Sequence, residues 1–298
     1  QELVLWGAGK KGKAIAKYWT ENGILFSWLT DNKNKIGHNI YGTVLESTET
    51  FDPSPTHQVV IAVADKQGQL DIQEKKVTLL SVKLDDITET FKIYCDDNLD
   101  VKIIGAGGGF SYNVQGISHN TSEDISIARS LPNLAVYNPG SKIEAQIIVN
   151  LIFKKKEPCF VRLGKAPILD FYKRITKIND NKGIIVTSGK NLTIFSTGNI
   201  LENVFKAVKK LQLMGFKIKL ISLPILKPIN ENFILKNSSY KVMSVEENVA
   251  IGGLGSLLSN LYFKSKINNK ICFKSISLKD KVHNEIGSQS YLRKINGL

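Results

Sequence analysis

The sequence predicts an α/β chain with mostly parallel sheets, and three observations carry that prediction. Short apolar runs rich in Val, Ile, Leu and Phe alternate with stretches of helical spacing along the chain, the pattern of repeated βα units. A Gly7-x-Gly9-x-x-Gly12 loop stands between the first run and the first helical stretch, where a doubly wound sheet places its tight turn. The longest apolar candidates, residues 59–64 and 145–153, are core-element length, well short of the ~20 residues a membrane span needs.

In the first segment, Leu3 to Trp6 reads as a buried strand, and Ala14, Ile15, Tyr18 and Trp19 follow at helical spacing. Ile24 to Leu29 predicts a second strand, with Asp31 just beyond it, and Val59 to Ala64 a later one ending at Asp65. Strand, glycine loop, helix and a strand-end acid are the context a dinucleotide fingerprint requires. Gly7 would allow the turn, Gly9 would admit a pyrophosphate and Gly12 would let helix pack on strand. Asp31 would accept from a ribose diol, and the free N–H groups of the helix start suit phosphate. A nucleotide or nucleotide sugar is therefore the expected ligand of Gly7, Gly9, Gly12 and Asp31; a turn shaped by glycines alone is the alternative. The run Asp31-Asn32 to Gly37, followed by Gly42, resembles the small Rossmann-like domains attached to bacterial sugar-modifying and sugar-transferring enzymes. That resemblance favours a nucleotide-sugar context over a redox one, and no hydride-transfer constellation is visible.

In the middle segment, Val101 to Ile104 predicts a strand running into the Gly105 to Gly109 loop. Glu123 to Leu131 predicts a helix, Leu134 to Tyr137 a strand, Ile143 to Phe153 an amphipathic helix and Cys159 to Leu163 a strand. In the last segment, strands are expected at 192–195, 218–223, 241–245 and 270–276, and helices at 200–213 and 256–262.

Hydrophobic residues make up 42% of the 298 and charged residues 22%, enough apolar surface for more than one core. The net charge of +13 invites a nucleic-acid reading. Only four of the 40 basic residues are Arg, and the lysines are dispersed without interleaved aromatics, so a solvated lysine surface attractive to small anions is expected and no nucleic-acid partner. The three cysteines form no CxxC pair, so neither a disulfide framework nor a metal site is expected, and a cytoplasmic chain with no membrane association fits.

The chain from about residue 92 carries a dense series of motifs: Gly107-Gly-Gly-Phe-Ser-Tyr112, Gly116-Ile-Ser-His119-Asn120, Glu123-Asp124, Arg129-Ser-Leu-Pro-Asn133, Val161-Arg162-Leu163-Gly164, Glu246-Glu247-Asn248, Gly252-Gly-Leu-Gly255 and Gly287-Ser-Gln289. In this order they resemble the C-terminal half of transketolase. The resemblance implies an architecture of a Rossmann-like N-terminal domain (1–91), a truncated thiamin-type pyrimidine domain (92–180) and a transketolase C-terminal α/β domain (181–298). It implies transfer of a two-carbon ketol unit between sugar phosphates with thiamin diphosphate and Mg2+ as cofactor. His119 would be the catalytic, substrate-side histidine and Arg162 would hold a substrate phosphate. A surface or core-satisfied His119 and an Arg162 in a structural ion pair are the other readings of those two residues. The family's C-terminal stretch makes Glu246 and Glu247 structural.

Two parts of the family pattern are missing from this sequence. The stretch that carries the cofactor-activating glutamate has no counterpart, and neither does the diphosphate-binding domain. A thiamin diphosphate-binding partner subunit, in a homo- or hetero-oligomer such as a dimer, is expected to supply what is lacking. The alternatives are a catalytically silent nucleotide-sugar-binding scaffold, or a chain joining pieces of two genes near residues 75–100.

Overall fold

The computed structural model describes residues 2–6, 10–30, 32–47, 57–61, 100–116, 119–165, 178, 181–265 and 271–298. These belong to two compact units, Gln1–Gly105 with Leu131–Leu134 and Lys156–Phe160, and Ala106–Ser130 with Ala135–Lys155 and Val161–Leu298. The boundary expected at 91/92 lies outside the described residues.

In the first unit, strands β1 (Glu2–Trp6), β2 (Ser27–Thr30), β3 (Asn39–Ile40), β4 (Thr43–Ser47), β5 (His57–Ile61) and β6 (Lys102–Ala106) accompany helix α1 (Lys10–Glu21). Their order is β6-β5-β1-β2-β4-β3. All neighbours are parallel except the β3–β4 hairpin. The second strand begins three residues later than the apolar run suggested. The chain turns out of α1 through Gly23, whose φ of +67° suits glycine, and the residues beyond it bridge to the sheet. Val4, Leu5, Ala16, Trp19, Trp28, Leu29 and Leu45 are buried. Phe26 packs edge-on to Trp19 with centroids 5.0 Å apart, the geometry aromatic pairs prefer.

The same unit buries a cation and a thiol. Lys102 is 1% exposed, ion-paired to Asp100, and donates to the Glu157 carbonyl at 2.7 Å. Burial pushes the Cys159 thiol up to about 12, so almost no thiolate exists at neutral pH. A disulfide-exchange reagent is expected to label exposed Cys272 in the native protein and Cys159 only after denaturation. Peptide mapping checks this, and native labelling of Cys159 would overturn it.

The second unit holds β7 (Ala135–Tyr137), β8 (Cys159–Leu163, entering from the first unit), β9 (Ile184–Thr187), β10 (Leu192–Ser196), β11 (Ile218–Ser222), β12 (Ile225–Lys227), β13 (Lys241–Val249) and β14 (Cys272–Leu278). Its helices are α2 (Asp124–Ser130), α3 (Lys142–Ile152), α4 (Leu201–Leu213), α5 (Glu231–Asn237), α6 (Leu254–Lys264) and α7 (Gln289–Ile295). A five-stranded sheet has the order β14-β13-β10-β11-β9. It is parallel except at β9, which runs antiparallel to β11. β12 pairs antiparallel with β7. Buried polar contacts tie the glycine loop at 107–112 to β13 and α7.

Local chemistry explains the helices that frame the site. Ser141 caps α3 by accepting from the Glu144 N–H at 3.1 Å, while the Glu144 carboxylate accepts from the Gly140 N–H, a reciprocal cap close to the capping box. In α4, Leu201, Val204 and Val208 are buried at helical spacing, over a core of Ile194, Ile218, Leu220 and Val245. The helix ends at Gly215, φ +91°. There the Phe216 N–H donates to the Leu211 carbonyl at 3.1 Å, the six-to-one bond of a Schellman stop.

Candidate active site

The glycine loop after β6 is held by backbone bonds on both sides. The N–H groups of Gly107 and Gly108 donate to the Leu163 carbonyl at 2.7 and 3.1 Å, and Gly109 and Thr121 exchange bonds of 3.0 and 3.2 Å. Ser111 Oγ donates to the Gly108 carbonyl at 2.6 Å, and Asn199 Nδ2 donates to Ser111 Oγ at 3.3 Å. The loop is thus fixed before any side chain reaches outward.

Arg162, on β8, lies under this loop. It is 3% exposed and its Nε sits 3.1 Å from Asp124 Oδ2. Its Nη2 donates to the carbonyls of Thr121 and Glu247 at 2.8 and 3.0 Å. A Cβ on Gly108 would come within 2.0 Å of Arg162 Nε, so glycine at 108 is what gives the guanidinium room. Burial pushes the Asp124 carboxyl up, and Arg162 pulls it back. Arg162 thus stands in an ion pair with Asp124.

β13 places two adjacent glutamates on opposite faces, as strand alternation requires. The strand runs through both and on to Val249, where the sequence suggested an end at Val245. Glu247 is 2% exposed. Its Oε1 accepts from the Phe110 N–H at 2.7 Å and from Gln289 Nε2 at 3.1 Å. Its Oε2 accepts from Arg293 Nε at 2.8 Å and from Arg293 Nη2, a two-pronged pairing that suits the guanidinium.

Glu246 faces the start of α6 and accepts from the N–H groups of Leu254 and Gly255 at 2.7 and 2.8 Å, satisfying donors every helix start leaves open. Gly253 is required there: a Cβ would stand 2.4 Å from the Glu246 carboxylate. Arg129 closes the turn through the Gly252 and Gly253 carbonyls. Burial pushes the Glu246 carboxyl up to about 7 from 4.5, with the two N–H bonds and then Arg129 opposing it. A raised folded-state value means this contribution is full below pH 4.5 and is lost as pH rises through about 7. Wild-type stability relative to Glu246→Gln is therefore expected to fall by up to about 3 kcal/mol between pH 4.5 and 8. Urea titrations of both proteins at several pH values measure it, and a flat difference would refute it.

His119 lies on the outer side of this scaffold and is exposed. Its N–H donates to the Gly116 carbonyl at 3.1 Å. Its ring meets Tyr112 edge-on at 5.9 Å, and the Lys165 ammonium sits 4.6 Å from the centre of the Tyr112 ring. Tyr112 thus links an imidazole to a cation on one surface. Sequence reasoning assigned Tyr112 and Lys165 no role; their positions beside the Gly107 and Arg162 motifs were the available signal. Of the N-terminal candidates, Gly12 lies in the first turn of α1, while Gly7, Gly9 and Asp31 fall outside the described residues. The β6-β5-β1-β2 order puts the reversal of winding at β1, where open α/β sheets bind ligands. Among the described residues no group of three or more His, Cys, Asp or Glu can hold a metal ion. Among the described residues no helix is long and apolar enough to cross a membrane.

Comparison with known proteins shows what the chain is similar to. Residues 181–274 match the family model described as transketolase, C-terminal domain. A Methanocaldococcus jannaschii chain named as a transketolase C-terminal section is 29% identical over 175 residues, covering 58% of this chain and 55% of that one. An apulose-4-phosphate transketolase subunit of Phocaeicola vulgatus is 28% identical over 167 residues, covering 53% and 52%. The matched stretch thus spans about half the length of these relatives. A solved split-gene transketolase, an inactive β4 tetramer, superposes with a TM-score of 0.61 at 24% identity, covering 71% of this chain and 68% of that one, which establishes a shared fold.

Proposed function

We propose that this chain, whose residues 181–274 carry a transketolase C-terminal domain, is one half of a split, two-chain ketol transferase acting on sugar phosphates. The observation that carries the reading is His119, exposed beside Tyr112 and Lys165 on a loop whose backbone is locked from both sides. A rigidly supported imidazole next to a cation suits an anionic, polyhydroxylated substrate: the histidine bonds substrate oxygens and moves a proton, and the ammonium attracts the phosphate. Arg162 could reach a phosphate only by leaving Asp124 and two carbonyls, so Lys165 is the accessible cation of this reading. Relatives named as transketolase subunits support a partner that binds thiamin diphosphate and Mg2+ and completes an oligomer. The cofactor supplies the carbanion chemistry; this chain positions substrate.

Calorimetric titration with thiamin diphosphate and Mg2+, alone and with a co-encoded partner chain, tests the reading. Binding only in the mixture, followed by ketol transfer, is expected; no binding in either case overturns it. In the active mixture, His119→Ala is expected to lower kcat/KM by about 100-fold. Lys165→Ala is expected to act mainly through KM. Thermal melts of both variants should match wild type, since neither side chain is buried. A second reading, a nucleotide-sugar-binding scaffold, rests on the winding reversal at β1; nucleotide-sugar binding with no thiamin diphosphate binding in any mixture would favour it.

A further inference from the structure

We infer that residues 283–287 form a strap that positions the His119 loop, with His283 and Asn120 as the positioning residues. The inference rests on the reading of His119 as the substrate-facing group.

The strap touches the loop on both sides of His119. Asn120 Nδ2 donates to the His283 carbonyl at 3.5 Å, one residue after His119. Before it, the Gly287 N–H donates to the Asn113 carbonyl at 3.5 Å, and Ile286, itself 63% exposed, lies beside Gly116, its Cγ1 3.4 Å from where a Cβ there would sit. The two hydrogen bonds are long and weak, so the buried contact of the strap is the His283 ring. The His283 ring stands edge-on to Phe110 with centroids 5.2 Å apart and planes at 85°. His283 is 3% exposed, and neither ring nitrogen has a hydrogen-bond partner. A polar ring kept dry without a partner is unfavourable as polar chemistry. Its contribution is therefore its shape, a flat ring filling the space against Phe110.

Phe110 connects the strap to the unit's core. It is fully buried with Val249, Leu278 and Leu292, and its N–H is held by the same Glu247 carboxylate that binds Gln289 and Arg293. The strap is therefore anchored next to α7, and the loop is anchored next to the glycine turn. His119 is exposed, and the strap adds to the hold that Gly116 and the Tyr112 ring already give it. Holding the backbone on both sides of it reduces the entropy lost when substrate binds.

Four histidines make the test tractable by nuclear magnetic resonance of the isotopically labelled full chain. His283→Ala is expected to shift and broaden the His119 imidazole signal and to speed amide exchange at 110–116 by about tenfold. His283→Phe, which keeps the ring contact and removes the unpartnered nitrogens, should restore both to within about twofold. Asn120→Ala should reproduce the His119 change with a smaller exchange effect. An unchanged His119 signal in folded His283→Ala overturns the strap, as does a His283→Phe variant no better than His283→Ala. Should His283→Ala not fold, the Asn120→Ala and His283→Phe pair decides alone. A separate titration with ribose 5-phosphate in the presence of the partner chain distinguishes the underlying reading. If His119 responds to His283 substitution but not to the sugar phosphate, the strap stands and the substrate assignment falls.

Discussion

Glu247→Ala is expected to destabilise the second unit by about 3–5 kcal/mol, the cost of leaving a buried charge without its partner. Arg293 is 8% exposed and Glu247 2%, so solvent cannot replace what the carboxylate provides. The same substitution orphans the Phe110 N–H and removes both contacts of Gln289 Nε2 to the carboxylate. For a unit of this size the melting transition should drop by roughly 10 °C. Glu247→Gln keeps an acceptor for Phe110 and loses the counter-charge, so it should fall between wild type and alanine. Urea unfolding of the three proteins measures the series. A Glu247→Ala loss under about 1 kcal/mol would mean that Arg293 finds another partner and that the network is not what secures the glycine loop.

Gly109→Ala is the second large effect, at about 2–4 kcal/mol, and it combines two penalties. The φ of +64° strains any residue with a Cβ by roughly 1–2 kcal/mol. That Cβ would also lie 2.6 Å from Glu247 Oε1 and 2.8 Å from its Cγ, an overpacking that typically costs about 1–3 kcal/mol. Gly215→Ala isolates the first penalty: φ is +91° and nothing lies within 4 Å of the added carbon. The difference between the two glycines is then the steric part. Combining Gly109→Ala with Glu247→Ala should cost less than the sum, because shortening residue 247 clears the space. Strict additivity in the denaturation curves would show that residues 109 and 247 do not meet.

Much of the fold was legible because its signals are local. Strand 159–163 falls where its apolar run lies. Helices α3 and α4 begin and end within a residue of their patterns, since capping chemistry and spacing specify them. The missed elements depend on something else. β12 lies just after Pro224 and directly before Pro228 and exists by pairing with Val136 and Tyr137. β9 is a short edge strand closed against β11. Helices α5 and α7 are only seven residues long. Asn230 and Ser288 cap them by accepting from Phe233 and Tyr291, a signal present in the sequence but too weak without the packing.

The sequence by itself determined the βα alternation, the glycine loop, the order of the motifs that carry His119 and Arg162, and the likeness to transketolase C-terminal sections. Tertiary structure alone decided what the charged residues do. Phe110 and Glu247 are 137 positions apart, and Arg162 meets Asp124 and the Glu247 carbonyl from far along the chain. Whether a charge is buried and paired, as Arg162 is, or left beside an aromatic ring at the surface, as Lys165 is, depends on desolvation and on partners that only folding brings together. Periodicity and spacing record the chain's own neighbours and hold no information about those partners.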